Sequence, residues 1–179
     1  MVTYRAACGC SADTIACFGT SNAQPLDALE FSDRLRAVLS QAREEAARLH
    51  HEHVGTEHLL LALLNDSSQN GGTPPSPAGV VLDVLGVDRP KMRAVLEQTV
   101  LRGRATTADD QLAYTSRARA VLELAMAEAR MSRASTVDTQ HLLLGLVREE
   151  RGIAAQVLLD FGVTVEKTRA ELGRIGNLG

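Results

Sequence analysis

Apolar residues recur with a helical period along most of this chain. Near the start of the first half they recur at i, i+4, i+7, i+8, i+11, i+15 and i+18, which predicts a helix with one apolar face made of Phe31, Leu35, Val38, Leu39, Ala42, Ala46 and Leu49. Ser32 is the expected N-cap of this helix. A second helix is predicted to begin at Thr56 and to run through EHLLLALL. Its apolar residues lie on nearly all sides, so we expect it at the buried centre.

Two shorter helices complete the first half. One is predicted over about 77–85, with Gly86 as the glycine that ends it, and the next has Pro90 in its first turn and extends to about Leu101. The second half follows the same plan, with helices expected near 115–133, 139–150, 152–161 and 164–175. Gly162 there takes the terminating position of Gly86.

The two halves are copies of one unit. A shift of 83 residues places residues 31–64 on 114–147 without a gap, and 15 of those 34 positions are identical. Beyond this stretch the shift falls to 76, because LGV at 85–87 matches FGV at 161–163. The extra residues lie in NDSSQNGGTPPSP, at 65–77. Such internal duplication indicates a repeat architecture.

We therefore predict an all-α fold of two tandem four-helix repeats, packed about a pseudo-twofold axis. The expected organisation is a flexible leader at 1–27, a first repeat at 28–102, a linker at 103–113 and a second repeat at 114–176. Residues 28–176 together would form one domain. Because the two repeats cover each other's apolar faces, we expect a monomer.

Composition supports helices and excludes several functional classes. Aromatic residues make up only 3% of the chain, and the net charge of −3 offers no basic surface for nucleic acid. No apolar run reaches the roughly 18 residues that span a membrane, so a cytoplasmic location is expected. Cys8, Cys10 and Cys17 all lie in the leader, without the spacing of a zinc site. We expect reduced thiols there.

Motifs for catalysis are missing from the sequence. It contains no G-x-x-x-x-G-K-[ST], no G-x-G-x-x-G and no G-x-S-x-G, so we expect neither an enzyme nor a bound cofactor. The most tempting metal candidate is the histidine cluster in LHHEHVGTEH, but it does not form an H-E-x-x-H motif. Only His58 has a counterpart in the second repeat, His141. We expect both to be hydrogen-bonded core histidines and no metal site.

The segment GTEH allows two interpretations. With Thr56 as N-cap, Glu57 would lie in the first turn of a helix, where its charge favours the positive end of the helix dipole. The residues would then only cap the helix. Alternatively, the helix start attracts an anion while the Glu57 carboxylate holds a guanidinium, a combination that suits a zwitterionic side chain.

The residues FSDRLRAVLSQAREEAARLHHEHVGTEHLLLALL and YTSRARAVLELAMAEARMSRASTVDTQHLLLGLVREERGIAAQVLLDFGV closely resemble the double repeat of the Clp N-terminal domain. The likeness is to the ClpC type, found in front of the ATPase rings of bacterial Clp unfoldases, and it covers about 28–175. The resemblance implies an all-α domain without catalysis that binds adaptor proteins and substrate degrons. It also implies one receptor site for phosphorylated arginine in each repeat.

Carried over residue by residue, the resemblance implies a first phosphoarginine site at Thr56 and Glu57, helped by Arg34 or Arg36. The second would lie at Thr139 and Gln140, helped by Arg117 or Arg119. Gln140 replaces the family's carboxylate with a neutral amide, and Asp138 replaces a glycine and would repel a phosphate. The second site is therefore expected to be degenerate.

The chain ends at RIGNLG, directly after the resembling region. We therefore expect a free-standing copy of the domain, without the ATPase domains and without ATP hydrolysis. The first functional hypothesis is a regulatory protein of the Clp system that captures degrons, adaptors or phosphoarginine-bearing substrates. One alternative is a structural accessory that docks on the Clp protease or its ATPase ring. Another is a decoy for cyclic-peptide antibiotics that target ClpC N-domains.

Overall fold

A computed structural model describes residues 29–66, 75–100, 102–103 and 112–176 of the chain. The leader with its three cysteines, most of the expanded loop and most of the predicted linker lie outside these residues. The described elements are β1 (Glu30–Phe31), α1 (Asp33–Arg48), β2 (His53–Val54), α2 (Thr56–Asp66), α3 (Pro77–Val84), α4 (Arg89–Thr99), β3 (Ala113–Tyr114), α5 (Ser116–Met131), β4 (Thr136–Val137), α6 (Thr139–Arg148), α7 (Ile153–Asp160) and α8 (Val165–Gly176).

The predicted all-α fold is confirmed, and the helix ends follow the local sequence signals. Ser32 caps α1, because its side-chain oxygen accepts a hydrogen bond from the backbone N–H of Leu35 at 3.1 Å. Gly86 and Gly162 follow α3 and α7 with φ angles of 71° and 76°. Because left-handed backbone favours glycine, both positions end their helices as predicted.

Four two-residue strands, which the sequence analysis did not predict, join the repeats. β1 pairs in parallel with β4, and β2 pairs in parallel with β3. By the shift of 83 residues, β3 is the counterpart of β1, and β4 is the counterpart of β2. Each ladder therefore pairs the first strand of one repeat with the second strand of the other. The extension of each ladder is equally symmetric: the backbone N–H of Ser32 donates to Val137 O, and that of Thr115 donates to Val54 O, both at 2.9 Å. This exchange of strands between the repeats follows the predicted pseudo-twofold axis.

The core lies between the repeats and is built around α2 and α6. The apolar residues of both helices are almost completely buried, as their all-round hydrophobicity predicts; they are Leu59, Leu60, Leu61, Ala62, Leu63, Leu64, Leu142, Leu143, Leu144, Leu146 and Val147. Within the described part of the chain, no helix is long and apolar enough to cross a membrane.

A buried carboxylate ties the first helix of each repeat to the last. In the second repeat, Glu128 is 4% exposed and accepts hydrogen bonds from Arg148 and Arg169, both at 2.6 Å. In the first repeat, Glu45 holds the equivalent position, and Arg93 Nη2 lies 3.6 Å from its Oε1. If α4 or α8 moved away, the buried carboxylate would lose an arginine partner, which is costly for a buried charge. These contacts therefore hold α4 and α8 in place.

Candidate functional site

The start of α2 forms the floor of the candidate site. The backbone carbonyl of Gly55 accepts the hydrogen bond of Leu59 N at 3.3 Å, and α2 begins at Thr56. Gly55 is therefore the N-cap, and the prediction that Thr56 caps this helix is wrong. A glycine cap has no side chain to occupy the first N–H groups of the helix, so their positive potential faces the site.

The Glu57 carboxylate folds back over Gly55. A Cβ atom placed on Gly55 would lie 2.3 Å from Glu57 Oε1 and 2.5 Å from Oε2, so a side chain at position 55 and this carboxylate position exclude each other. Thr56 Oγ1 lies 3.5 Å from the same carboxylate. The Glu57 side chain is 17% exposed, so a ligand at the surface can reach it.

A pocket of about 290 Å³ opens above this carboxylate, and both repeats line it. The first repeat contributes the start of α2, and the second contributes the starts of α5 and α7; the lining residues are Gly55, Thr56, Glu57, Thr115, Ser116, Arg117 and Ile153. Gly152 caps α7 without a side-chain hydrogen bond. Three helix N-termini thus meet around the Glu57 carboxylate and Arg117, and the Glu149 carboxylate lies behind Arg117 at the start of α7. Helix starts favour an anion, and the Glu57 carboxylate favours a cation beside it.

Arg117 is the arginine of this pocket. Its Nη1 donates to the carbonyl of Arg151 at 2.7 Å, and its Nε lies 4.0 Å from Glu149 Oε1. These two groups hold the guanidinium beside the pocket while 57% of the side chain stays exposed. Arg117 is therefore positioned to meet an anionic group of a ligand.

The other three predicted arginines lie elsewhere. Arg34 Nε is 4.0 Å from Asp66 Oδ2, Arg36 pairs with Asp33 at 3.4 Å on the exposed face of α1, and Arg119 is exposed on α5. None of them is among the residues lining the pocket at Glu57. The structure thus does not bring Arg34 or Arg36 to the pocket at Glu57, where the sequence placed them. The β2–β3 ladder places the start of α5, and not that of α1, beside α2.

The equivalent helix start in the second repeat is built differently. Asp138 caps α6, and its carboxylate accepts from Thr139 N at 2.7 Å and from the hydroxyl of Ser32 at 2.8 Å. Thr139 is fully buried, and Gln140 is partly buried with an Oε1 that has no hydrogen-bond partner among the described residues. The predicted pair Thr139 and Gln140 is therefore found at a helix start that already contains a carboxylate.

His58 and His141, which occupy the same position in the two repeats, are core histidines. His58 is fully buried, its Nδ1 accepts from Gly55 N at 2.8 Å, and its Nε2 lies 2.8 Å from His51 Nδ1. His141 is 4% exposed and accepts from Asp138 N at 3.0 Å. The prediction of hydrogen-bonded core histidines is confirmed, and both stiffen the helix starts that carry the candidate sites.

His51, Glu57 and His58 place potential metal ligands within 4.8 Å of one another, but their hydrogen bonds oppose a metal. Because His58 Nδ1 accepts a backbone N–H, the ring proton must be on Nε2, where it donates to His51. A metal on Nε2 would move that proton to Nδ1, opposite the donor N–H of Gly55. The cluster therefore fits a hydrogen-bonded chain and does not fit a metal site.

The buried histidine makes stability depend on pH. Burial, together with the nearby His51 and Arg48, lowers the pKa of His58 from 6.5 to about 4. Below pH 6.5 the unfolded chain takes up a proton that the folded chain refuses until about pH 4, so we expect the free energy of unfolding to fall by about 3 kcal/mol across this window. Chemical denaturation of wild type and H58Q between pH 7.5 and 4 tests this, and parallel stability curves would contradict it.

Sequence reasoning missed Thr115, Ser116 and Ile153 among the lining residues, and Gly152 next to them. A Cβ atom on Gly152 would lie 2.7 Å from Thr56 Oγ1 and 2.4 Å from Glu149 Oε2, so glycine is needed where α7 meets α2. The available signal was the glycine itself, just before the apolar run of α7. Its partner in space lies in the other repeat, which no spacing along the chain discloses.

Comparison with known proteins identifies the family. The Clp repeat (R) N-terminal domain matches residues 30–158 and 113–177. The negative regulator of genetic competence ClpC/MecB of Bacillus subtilis (strain 168) is 39% identical over 142 residues, which are 79% of this chain and 16% of that protein. The ATP-dependent Clp protease ATP-binding subunit ClpC of Staphylococcus aureus (strain USA300) is 37% identical over 147 residues, or 82% of this chain and 17% of that protein. The chain thus spans about one sixth of the length of these relatives.

Solved structures share the fold. The N-domain of ClpV from Vibrio cholerae superposes with a TM-score of 0.67 at 17% identity, covering 87% of this chain and 94% of that domain. The N-terminal domain of ClpD from Arabidopsis thaliana gives 0.61 at 21% identity, covering 82% and 95%. A complex of the ClpV N-domain with a VipB peptide gives 0.64 at 18% identity, covering 85% and 96%. At these identities the likeness concerns the fold alone.

Proposed function

The chain belongs to the Clp repeat N-terminal domain family, and we propose that it is a non-catalytic receptor of the Clp system that recognises phosphoarginine on substrate or adaptor proteins. The observation that carries this proposal is the pocket between the repeats, which Glu57 and Arg117 both line among three helix starts. A phosphorylated arginine presents a cation and an anion side by side, so it matches both charges.

Each half of such a ligand has a receptor of suitable chemistry. The carboxylate of Glu57 accepts hydrogen bonds from a guanidinium, while Arg117 and the first N–H groups of α2 and α7 donate to a phosphate. Charge-assisted hydrogen bonds of this kind contribute about 1.5–3 kcal/mol each. Because the pocket is a shallow opening of about 290 Å³, a side chain on the surface of a protein can enter it while its backbone stays outside.

A peptide-binding role is also supported by a structural neighbour. One of the similar structures is a Clp N-domain in complex with a peptide of another protein. We therefore extend the proposal to degrons and adaptors, which would contact the surface around the pocket as segments of chain. Docking on Clp protease or ATPase subunits remains the second candidate function.

The proposal is tested with an unrelated carrier protein that has been phosphorylated on arginine. Its equilibrium binding to immobilised wild-type chain is compared with that of the unphosphorylated carrier, with free phosphoarginine as competitor. We expect only the phosphorylated carrier to bind and free phosphoarginine to displace it. Equal binding of the two carriers would reject phosphoarginine recognition. Docking on the Clp machinery instead predicts a stoichiometric complex with purified protease or ATPase subunits that phosphoarginine does not dissolve.

A further inference from the structure

The pocket at Glu57 has an equivalent position in the other half of the molecule, and three of its key residues differ there. Gly55 and Glu57 correspond to Asp138 and Gln140 by the shift of 83 residues, and Gly152 corresponds to Ser76 by the shift of 76. The equivalent position thus lacks the pocket's Gly55 and Glu57, and also the Gly152 that lies against Thr56. The inference that follows rests on the proposed function only for its ligand.

Asp138 occupies the place that a ligand's anion takes at an open helix start. Its carboxylate accepts a hydrogen bond from the backbone N–H of Thr139 at 2.7 Å. It also accepts one from the backbone N–H of His141, the third residue of α6, and so caps this helix. The same carboxylate accepts the hydroxyl of Ser32 at 2.8 Å, a contact between residues 106 positions apart. Two of the donors that would bind an external anion, the N–H groups of Thr139 and His141, are therefore already engaged by a group of the chain itself.

Gln140 cannot replace Glu57 even in shape. In the first repeat the Glu57 carboxylate lies where a Cβ of residue 55 would be, at 2.3–2.5 Å. Asp138 has a Cβ at the equivalent position, so the side chain of Gln140 is excluded from the folded-back conformation. Its Oε1 is instead buried, with no hydrogen-bond partner in the described part of the chain.

Ser76 fills the third glycine position. It is 1% exposed, and its hydroxyl caps α3 by accepting from Gly79 N at 3.1 Å. At the equivalent position in the open pocket, a Cβ on Gly152 would come within 2.7 Å of Thr56 Oγ1. In the pocket at Glu57, α2 and α7 begin without a side-chain cap. Their counterparts α6 and α3 are both capped by a side chain, that of Asp138 and that of Ser76.

We infer that the second site is closed from within. Asp138 is a tethered carboxylate that stands in for the anion of a ligand and, through Ser32, joins α6 to the start of α1. The chain consequently has one ligand position per molecule, at the α2 start, and the α6 start serves as a fixed joint between the repeats. This closure differs from a merely weakened site, because it predicts that the site opens when the three residues are exchanged.

The test uses the full chain, with inorganic phosphate and phosphoarginine as probes. In wild type, we expect inorganic phosphate to shift the backbone amide resonances of residues 55–57 and 116–117 and to leave those of 139–141 in place. In the variant carrying Asp138→Gly, Gln140→Glu and Ser76→Gly, the amides of 139–141 should respond as well. The calorimetric stoichiometry of phosphoarginine should then rise from one to two.

A reverse variant and a matched control keep the test decisive. Gly55→Asp should abolish the response of residues 55–57, whereas Gly173→Ala, on an exposed face of α8 where an added Cβ meets nothing within 4 Å, should change neither response. Far-ultraviolet circular dichroism establishes that each variant is folded. A phosphate response at 139–141 in wild type, or none there in the folded triple variant, would overturn the inference. If wild type fails to bind phosphoarginine while the triple variant still opens 139–141 to phosphate, the proposed ligand is wrong and the closure stands.

Discussion

Replacing Arg117 by alanine is expected to weaken phosphoarginine binding by roughly 10–100-fold. Arg117 is the arginine that lines the pocket with Glu57, and its loss removes a charge-assisted contact to the phosphate worth about 1.5–3 kcal/mol. Its side chain is 57% exposed and lies outside the core, so the variant should fold normally. Isothermal titration calorimetry with phosphoarginine measures the change.

Arg34→Ala is the matched control for this experiment. Arg34 is the counterpart of Arg117 in the first repeat, carries the same charge and lies near an acidic partner at the same 4.0 Å distance. Because it is not among the residues lining the pocket, its removal should leave the affinity within about twofold of wild type. If Arg34→Ala abolished binding and Arg117→Ala did not, the arginine would come from the same repeat as Glu57, and the site described above would be misassigned.

Gly145→Ala is expected to destabilise the fold by about 1–3 kcal/mol, even though alanine favours helices over glycine by about 1 kcal/mol. Gly145 lies on α6 where that helix crosses α5. A Cβ there would come within 2.5 Å of the carbonyl oxygen of Val121 and 3.1 Å of Ala125 N. Backbone atoms cannot rotate away as a side chain does, so the two helices must separate. Urea denaturation monitored by circular dichroism measures the loss.

Gly173→Ala supplies the comparison within the same protein. Gly173 is exposed on α8, and an added Cβ meets no atom within 4 Å. Helix propensity alone should then act, and stability should rise by about 0.5–1 kcal/mol. If both substitutions stabilised the chain, the close contact between α5 and α6 would be refuted.

Much of the fold was predictable because its signals are local. The apolar period of α1, the all-round hydrophobicity of α2 and the glycines after α3 and α7 each act within a few residues, and the helices lie where these signals place them. The repeat made the prediction stronger, since each signal occurs twice. Three helices also end without a glycine signal: His50, Arg133 and Glu150, which follow α1, α5 and α6, adopt φ angles of 58°, 55° and 57°.

The strand pairing and the make-up of the pocket, which the sequence did not disclose, both involve the two repeats together. A two-residue strand is too short to show an alternating pattern, so β1–β4 and their exchange between repeats could not be predicted. That exchange decides which arginine lines the pocket with Glu57, and the sequence alone favoured the arginines of the same repeat. Once the β2–β3 ladder sets α5 beside α2, Arg117 follows from geometry.

The N-cap of α2 shows a different limit. Threonine and glycine rank about equally as N-cap residues, so local preference did not decide between Thr56 and Gly55. The structure uses Gly55 because the Glu57 carboxylate occupies the space of its missing side chain. The contact with Glu57 belongs to the proposed binding site, and cap preference along the chain does not encode it.

The most direct measurement of the central claim is a calorimetric titration of the wild-type chain with phosphoarginine, repeated with Glu57→Ala. The pocket between the repeats predicts binding of one equivalent in wild type and its loss in the variant, because the carboxylate that holds the guanidinium is gone. Absence of binding in wild type, or equal affinity in Glu57→Ala, would contradict phosphoarginine recognition at this site. Glu57 would then be a charged residue of a helix start without a ligand of this class.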